Sequence, residues 1–317
     1  MRAFLLIVSL LAAVSTGVSA EPASTSSATP AMRAQSGALA ATWEQQCNAG
    51  DGGACNNLGM MYRLGEQVPQ DDARAAALFQ RACDHGSDVC ATNLGVLYMS
   101  GSGVPKDLPR AANLFQRGCD SGHGMGCEAL AQMYAFGMGV SADKARAAEL
   151  YRTACDHNEA QGCYDAGYAY SHGDGVLTDF NIAIAAYEKG CRGGNFWSCT
   201  NLGGMWEHGT AGKKDRQKAG FYYHLACDGG DGMGCVRVAE QIVLSDPKEA
   251  AVLYQKACDL RDEHGCGSLG LLFESGIGVS KDKARALSLF RQAQSLNPKS
   301  DITDLLNERI TKLTKGH

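Results

Sequence analysis

The sequence has no excess of basic charge: Lys and Arg total 29 of 317 residues against 34 Asp and Glu, a net charge of −5. That balance argues against a nucleic-acid scaffold, which needs a concentrated basic surface. Beyond residue 20, no apolar run approaches the roughly 18 residues that span a bilayer, so no later segment reads as a membrane helix. The histidines are scattered and form no H-x-H-x-D string. No cysteine precedes Cys47, which leaves no lipid-modified cysteine at the N-terminus. With 45% apolar residues, on the other hand, the chain can build a core, which excludes general disorder.

Residues 1–20, MRAFLLIVSLLAAVSTGVSA, set Arg2 before an apolar core from Phe4 to Val14 and end on the small residues Val18-Ser19-Ala20. This is the pattern of a signal peptide cleaved after Ala20. Residues 21–40, rich in Ala, Ser, Thr and Pro, read as a disordered linker. The mature protein is therefore expected in the periplasm or secreted, in an oxidising space. Its 14 cysteines fit such a space and are too many for a reduced cytosolic protein unless they bind metal.

The cysteines are periodic. The first of each pair falls at 47, 83, 119, 155, 191, 227 and 258, in five steps of 36 and one of 31. Six pairs are C-x7-C, and Cys83/Cys90 is one residue tighter. Other segments keep the same phase: NLGMMY (57–62), NLGVLY (93–98), ALAQMY (129–134), DAGYAY (165–170) and NLGGMW (201–206). A period between 20 and 50 residues signals a stacked repeat architecture.

Each unit reads as helix A, loop, helix B. Helix A starts near the second cysteine of a pair and ends at a glycine such as Gly65, Gly101 or Gly276, where the chain needs positive φ. An in-phase aspartate (Asp71, Asp107, Asp143, Asp179, Asp215, Asp282) then offers its carboxylate to the free N–H groups that open helix B. The short sixth unit keeps this device as Asp246-Pro247 but lacks the GxGV turn, which accounts for its 31-residue step. Small residues at Gly59, Gly95, Ala131, Gly167, Gly203, Ala239 and Gly270 let helices approach closely. Repeats are expected over 41–296, with residues 297–317 supplying a capping helix whose face is Ile302, Leu305, Leu306, Ile310 and Leu313.

Each cysteine pair joins the end of a helix B to the start of the next helix A across a tight turn. The expected bridges are Cys47–Cys55, Cys83–Cys90, Cys119–Cys127, Cys155–Cys163, Cys191–Cys199, Cys227–Cys235 and Cys258–Cys266. Closing a loop of about nine residues stabilises by roughly 2.6 kcal/mol in the chain-entropy model. Zinc is the rival reading, but a structural site takes about four convergent ligands with closer cysteine spacing. His85, His123, His157 and His264 lie in the cysteine-bounded turns and read as polar turn residues. No metal or cofactor is expected.

The units GSGVPKDLPRAANLFQRGCD and GMGVSADKARAAELYRTACD, with LGxxY before them, resemble Sel1-like repeats, relatives of tetratricopeptide repeats. Cysteine pairs at this period are most similar to the Helicobacter cysteine-rich protein family, and the resemblance covers residues 41–296. It implies an all-α, right-handed α/α solenoid with one disulfide per repeat, secreted or periplasmic. Members of that family are often called β-lactamases or penicillin-binding proteins, so lactam chemistry is the alternative reading. Serine enzymes of that class need an S-x-x-K nucleophile with S-D-N and K-T-G elements. Three S-x-x-K strings exist, Ser141/Lys144, Ser245/Lys248 and Ser280/Lys283, but neither other element does, and no catalytic residue is assigned.

In solenoids of this kind the A helices line the concave face, where peptides bind. In phase before the LG core stand Asn57, Asn93, Asp165, Asn201 and Arg237, and one turn on come Met61, Met133 and Met205. The polar row is expected to bond a peptide backbone and the methionines to add adaptable apolar contact. A monomer that mediates protein, peptide or cell-wall contacts is the resulting expectation.

Overall fold

The computed structural model describes residues 30–210 and 212–315. The expected signal peptide and its cleavage point lie outside the described residues, as does the linker stretch 21–29. Among the described residues the chain is all-helical, with sixteen helices. In order they are α1 (Pro30–Asn48), α2 (Gly52–Leu64), α3 (Asp72–Asp84), α4 (Cys90–Ser100), α5 (Leu108–Asp120), α6 (Gly124–Phe136), α7 (Lys144–Asp156) and α8 (Ala160–His172). There follow α9 (Phe180–Arg192), α10 (Phe196–His208), α11 (Arg216–Asp228), α12 (Gly232–Ile242), α13 (Pro247–Asp259), α14 (Glu263–Ser275), α15 (Lys283–Leu296) and α16 (Thr303–Lys315). Even-numbered helices from α2 to α14 are the A helices, and odd-numbered ones from α3 to α15 are the B helices. They form two compact units, residues 30–133 with 137–142, and 134–136 with 143–315.

The periodic signals sit at helix ends, as their chemistry requires. Each aspartate before a B helix accepts a backbone N–H of the first turn at 2.9–3.1 Å, including Asp246 in the short unit. The glycines closing A helices adopt φ between +67° and +81°, and each N–H donates to the carbonyl four residues back. Most A helices open three residues ahead of their second cysteine rather than at it, Gly52 before Cys55 for example. The N-cap there varies: Asp51, Asn195, Asp231 and Asp262 accept a helix N–H, whereas His123 and Glu159 do not. Helix α1 begins at Pro30, inside the stretch read as linker; its Ala, Met, Arg and Gln residues are good helix formers.

Seven disulfides join the pairs read from the sequence, with Cα–Cα separations of 4.3–5.3 Å. The tighter pair is absorbed by its A helix: α4 opens at Cys90 itself, and Val89 at its N-cap makes no side-chain cap bond.

Packing within a unit follows from size. Gly59 lies against the Phe79 ring, where a Cβ would come within 2.6 Å, and Gly203 faces Tyr223 in the same way. The facing aromatics Phe79, Phe115, Tyr187, Tyr223 and Phe290 are fully buried. Packing between successive units depends on the second glycine of the GxGV turn. Gly103, at φ +70°, lies on the Asp72–Ala73 backbone at the start of the preceding B helix. Gly139 lies likewise on Leu108–Pro109, Gly175 on Lys144–Ala145 and Gly278 on Pro247–Lys248.

A third periodic device joins the end of an A helix to the start of its B helix. Arg74 lies over Tyr62 at 4.4 Å, Arg110 over Tyr98 at 4.3 Å, Arg146 over Tyr134 at 4.8 Å, Lys218 over Trp206 at 3.9 Å and Arg285 over Phe273 at 4.4 Å. Each is a cation resting on the negative face of an aromatic ring. At the C-terminus α16 buries Leu306 and Leu313 against the core of α14 and α15. Glu263 anchors the approach by accepting from Asn297 at 2.9 Å and Ser300 at 3.2 Å.

Candidate functional site

In the first unit the A-helix face opens as a cleft of about 430 Å³ between the end of α1 and helices α2, α4 and α6. Three of the predicted contact residues line it: Asn57, Asn93 and Met61. Trp43 from α1, Met60 from α2 and Met125 from α6 add apolar and polarisable wall, and Glu66 adds a carboxylate. Asn57 is exposed. Asn93 is half-buried and donates from Nδ2 to Asn56 Oδ1 at 2.8 Å, which ties the two amides of neighbouring units into one polar strip. His123 closes the polar side, its Nδ1 2.8 Å from Thr92 Oγ1. Burial lowers the pKa of this imidazole, so it is neutral at pH 7. Carboxamides able to both donate and accept stand beside pliable apolar groups. That combination suits a segment of polypeptide backbone.

In the second unit the positions of the same sequence phase, on α8, α10 and α12, carry different chemistry. Asp165 on α8 is half-buried and accepts from Gln161 Nε2 at 3.2 Å. Desolvation pushes its carboxyl up to about 7, and the Gln161 bond offsets only part of that. Asn201 on α10 lies near the Tyr164 hydroxyl and partly offsets the rise that burial imposes on its pKa. Arg237 on α12 is tied along its own helix, Nη1 donating to Glu240 Oε2 at 2.9 Å. The three predicted methionines do not form an open row. Met61 is 5% exposed, Met133 0% and Met205 8%, the last packed with Tyr187 and Leu202, so all three belong to the core and Met61 only backs the wall of the first-unit cleft. The expectation of an open methionine row is corrected there. A four-residue step advances the helix by about 400°, about 40° past a full turn, and turns those side chains toward the B helices.

The Asp165 shift carries a stability consequence. Between about pH 4, where an unfolded aspartate ionises, and about pH 7, the folded chain holds a proton that the unfolded chain has lost. Stability contributed by this group is present below that window and is lost as the pH rises through it. Asp165→Asn is therefore expected to gain on the parent protein between pH 4.5 and pH 8 in urea-unfolding midpoint. A difference that stays constant with pH would refute the shift.

The sequence profile of the Sel1 repeat matches seven segments, residues 53–87, 89–123, 124–159, 160–195, 198–231, 240–262 and 265–297, together well over half of the chain. This chain belongs to the Sel1 repeat family. Sel1 repeats are protein-interaction scaffolds, and the seven disulfides here suit an oxidising compartment. The c5321 protective antigen of uropathogenic Escherichia coli, whose structure displays an SLR fold, superposes with a TM-score of 0.71 at 20% identity, covering 88% of this chain and 68% of its own. A Sel1 repeat protein from Oxalobacter formigenes does so with a TM-score of 0.67 at 20% identity, covering 90% and 83%. Cysteine rich protein B of Helicobacter pylori is 24% identical over 52% of this chain and 95% of its own, with a TM-score of 0.23. No curated protein matches the sequence.

Within the Sel1 units the three S-x-x-K strings occupy exposed turns ahead of B helices. Lys144 Nζ donates to Asp174 at 2.6 Å, and that bond raises its pKa. A lysine serving as general base needs the opposite shift. Among the described residues no three His, Cys, Asp or Glu side chains converge to hold a metal. Sequence reasoning did not anticipate Trp43, Met60, Met125 or His123 in the cleft. Position 123 is the varying N-cap position, and Trp43 precedes the first complete unit, so neither carries a periodic mark.

Proposed function

We propose that this Sel1 repeat protein is a periplasmic or secreted scaffold that holds an extended polypeptide segment of a partner in the cleft of its first unit. The observation that carries this reading is the convergence of Asn57 and Asn93 with Trp43, Met60 and Met125 on one cleft. The amide pair serves the partner's backbone N–H and C=O groups, while the tryptophan and methionines receive side chains of varied shape. The seven bridges support an oxidising compartment, and the N-terminal apolar stretch ending at Ala20 supplies the route to it.

The test begins with a partner recovered by cross-linking in intact cells, then purified. Asn57→Ala combined with Asn93→Ala is expected to weaken its binding about thirtyfold, since two backbone hydrogen bonds contribute about 1 kcal/mol each. Affinity within about twofold of the parent protein would refute the cleft as the contact surface.

A further inference from the structure

We infer that the A-helix face of the second unit, around Tyr164, Asp165, Tyr168 and Trp197, receives the guanidinium of an arginine side chain carried by a polypeptide partner. Gln161, Tyr164, Asp165 and Tyr168 stand at helical spacing on α8 and so form one stripe. Trp197, from the first turn of α10, brings its ring centroid to 6.1 Å from that of Tyr164. Tyr168 and Trp197 leave 45% and 49% of their surface in water, so both rings are open to a ligand. These are departures from the repeat: Tyr164 stands where Asn56, Thr92 and Thr200 stand in other units, and Trp197 where Gly53, Met125 and Met233 stand.

Above about pH 7, where Asp165 is ionised, the charge on this face is negative. The carboxylates of Asp165 and Asp231 both act on Tyr164 and make its ionisation harder. Asp231 is held by Thr200 and the helix N–H of Met233, and Asp165 by Gln161. Among the described residues no Lys, Arg or His forms an ion pair with either. Lys144, whose charge reaches Tyr168, is held by Asp174, and His172 covers one side of the Tyr168 ring with centroids 4.1 Å apart. At the opposite end of its A helices the chain covers aromatic rings with its own cations, four of the five being arginines.

A guanidinium matches this set better than an ammonium. It is flat and weakly hydrated, so it stacks on Tyr and Trp rings, and its fork of donors satisfies a carboxylate at two points. The face is open rather than enclosed, so the arginine must be held in place by the chain that carries it.

The probe is the peptide acetyl-Gly-Gly-Arg-Gly-Gly-amide, with a citrulline version of the same shape but no charge, and a lysine version. Each is titrated into the oxidised, isotope-labelled full chain while the Trp197 indole N–H and the α8 amides are followed by NMR. The arginine peptide is expected to shift Trp197 saturably and to bind about tenfold more tightly than the citrulline peptide, as a charge-assisted pair warrants. Asp165→Asn is expected to weaken binding about tenfold, and Trp197→Leu, at a half-exposed position, severalfold. Asn57→Ala with Asn93→Ala is expected to leave it unchanged, which separates this site from the first-unit cleft. Equal affinity for arginine and citrulline, equal affinity for arginine and lysine, or indifference to both Asp165→Asn and Trp197→Leu would each overturn the assignment.

Discussion

Reduction of the seven disulfides is expected to bring the chain to the edge of unfolding. Each bridge closes a ring of eight or nine residues, and removing it frees roughly 2.6 kcal/mol of chain entropy in the unfolded state. Seven of them give a ceiling of about 18 kcal/mol, more than the roughly 5–15 kcal/mol of net stability typical of a domain. Urea unfolding followed by far-ultraviolet circular dichroism, with and without dithiothreitol, measures the difference. The reduced protein is expected to lose most of its helix in little or no urea. A reduced form whose unfolding free energy lies within about 2 kcal/mol of the oxidised one would show that side-chain packing alone holds the repeats. A single excision, Cys155→Ala with Cys163→Ala, is expected to cost about 2–4 kcal/mol.

The second large effect concerns Gly103. Its φ of +70° already disfavours any other residue, and a Cβ would fall on the Asp72–Ala73 backbone, which cannot move without displacing α3. Gly103→Ala is expected to cost about 2–5 kcal/mol, combining the left-handed penalty with overpacking. Gly86 is the control: its φ is +77°, yet a Cβ there meets nothing within 4 Å. Gly86→Ala should therefore lose only the conformational part, about 1–2 kcal/mol. If both variants unfold at the same urea concentration, the contact between the GxGV turn and the preceding B helix does not govern how units stack.

Much of the fold was legible because the signals that carry it have one chemical solution each. A left-handed helix end favours glycine, hence Gly65 and its counterparts; a helix start needs an acceptor, hence Asp71 and its counterparts. Helix A starts were harder to place because several side chains can occupy that position, and His123, Glu159 and Val89 form no side-chain cap at all. The first part of helix α1, residues 30–40, reads as linker since Ala, Ser and Pro are shared by linkers and by helix N-termini, while residues 41–47 read as the tail of a helix B that supplies Cys47. The cation–aromatic pairs were visible as a twelve-residue spacing, Tyr62 to Arg74 and Tyr98 to Arg110, but a pair on two different helices shows no meaning until the helices are side by side.

At the candidate sites the asparagine row was legible from its phase, and the second-unit aromatics were not. A repeat consensus directs attention to positions that stay constant, whereas Tyr164 and Trp197 matter because they differ from their counterparts. The methionines show the reverse failure. Their phase is regular, yet burial of Met133 and Met205 depends on which neighbour each helix face meets.

The placement of the bridges decides how the protein meets a peptidase. Every turn from a B helix to the next A helix is enclosed by a cystine, while every turn from A to B is open. A nick inside an enclosed turn leaves both pieces covalently attached and in register, so the molecule survives it at full mass until a reductant arrives. A nick in an open turn separates the chain at once, with breakpoints at multiples of one unit. In an oxidising compartment, where reductant is scarce, about half of the connections are thereby made tolerant of damage.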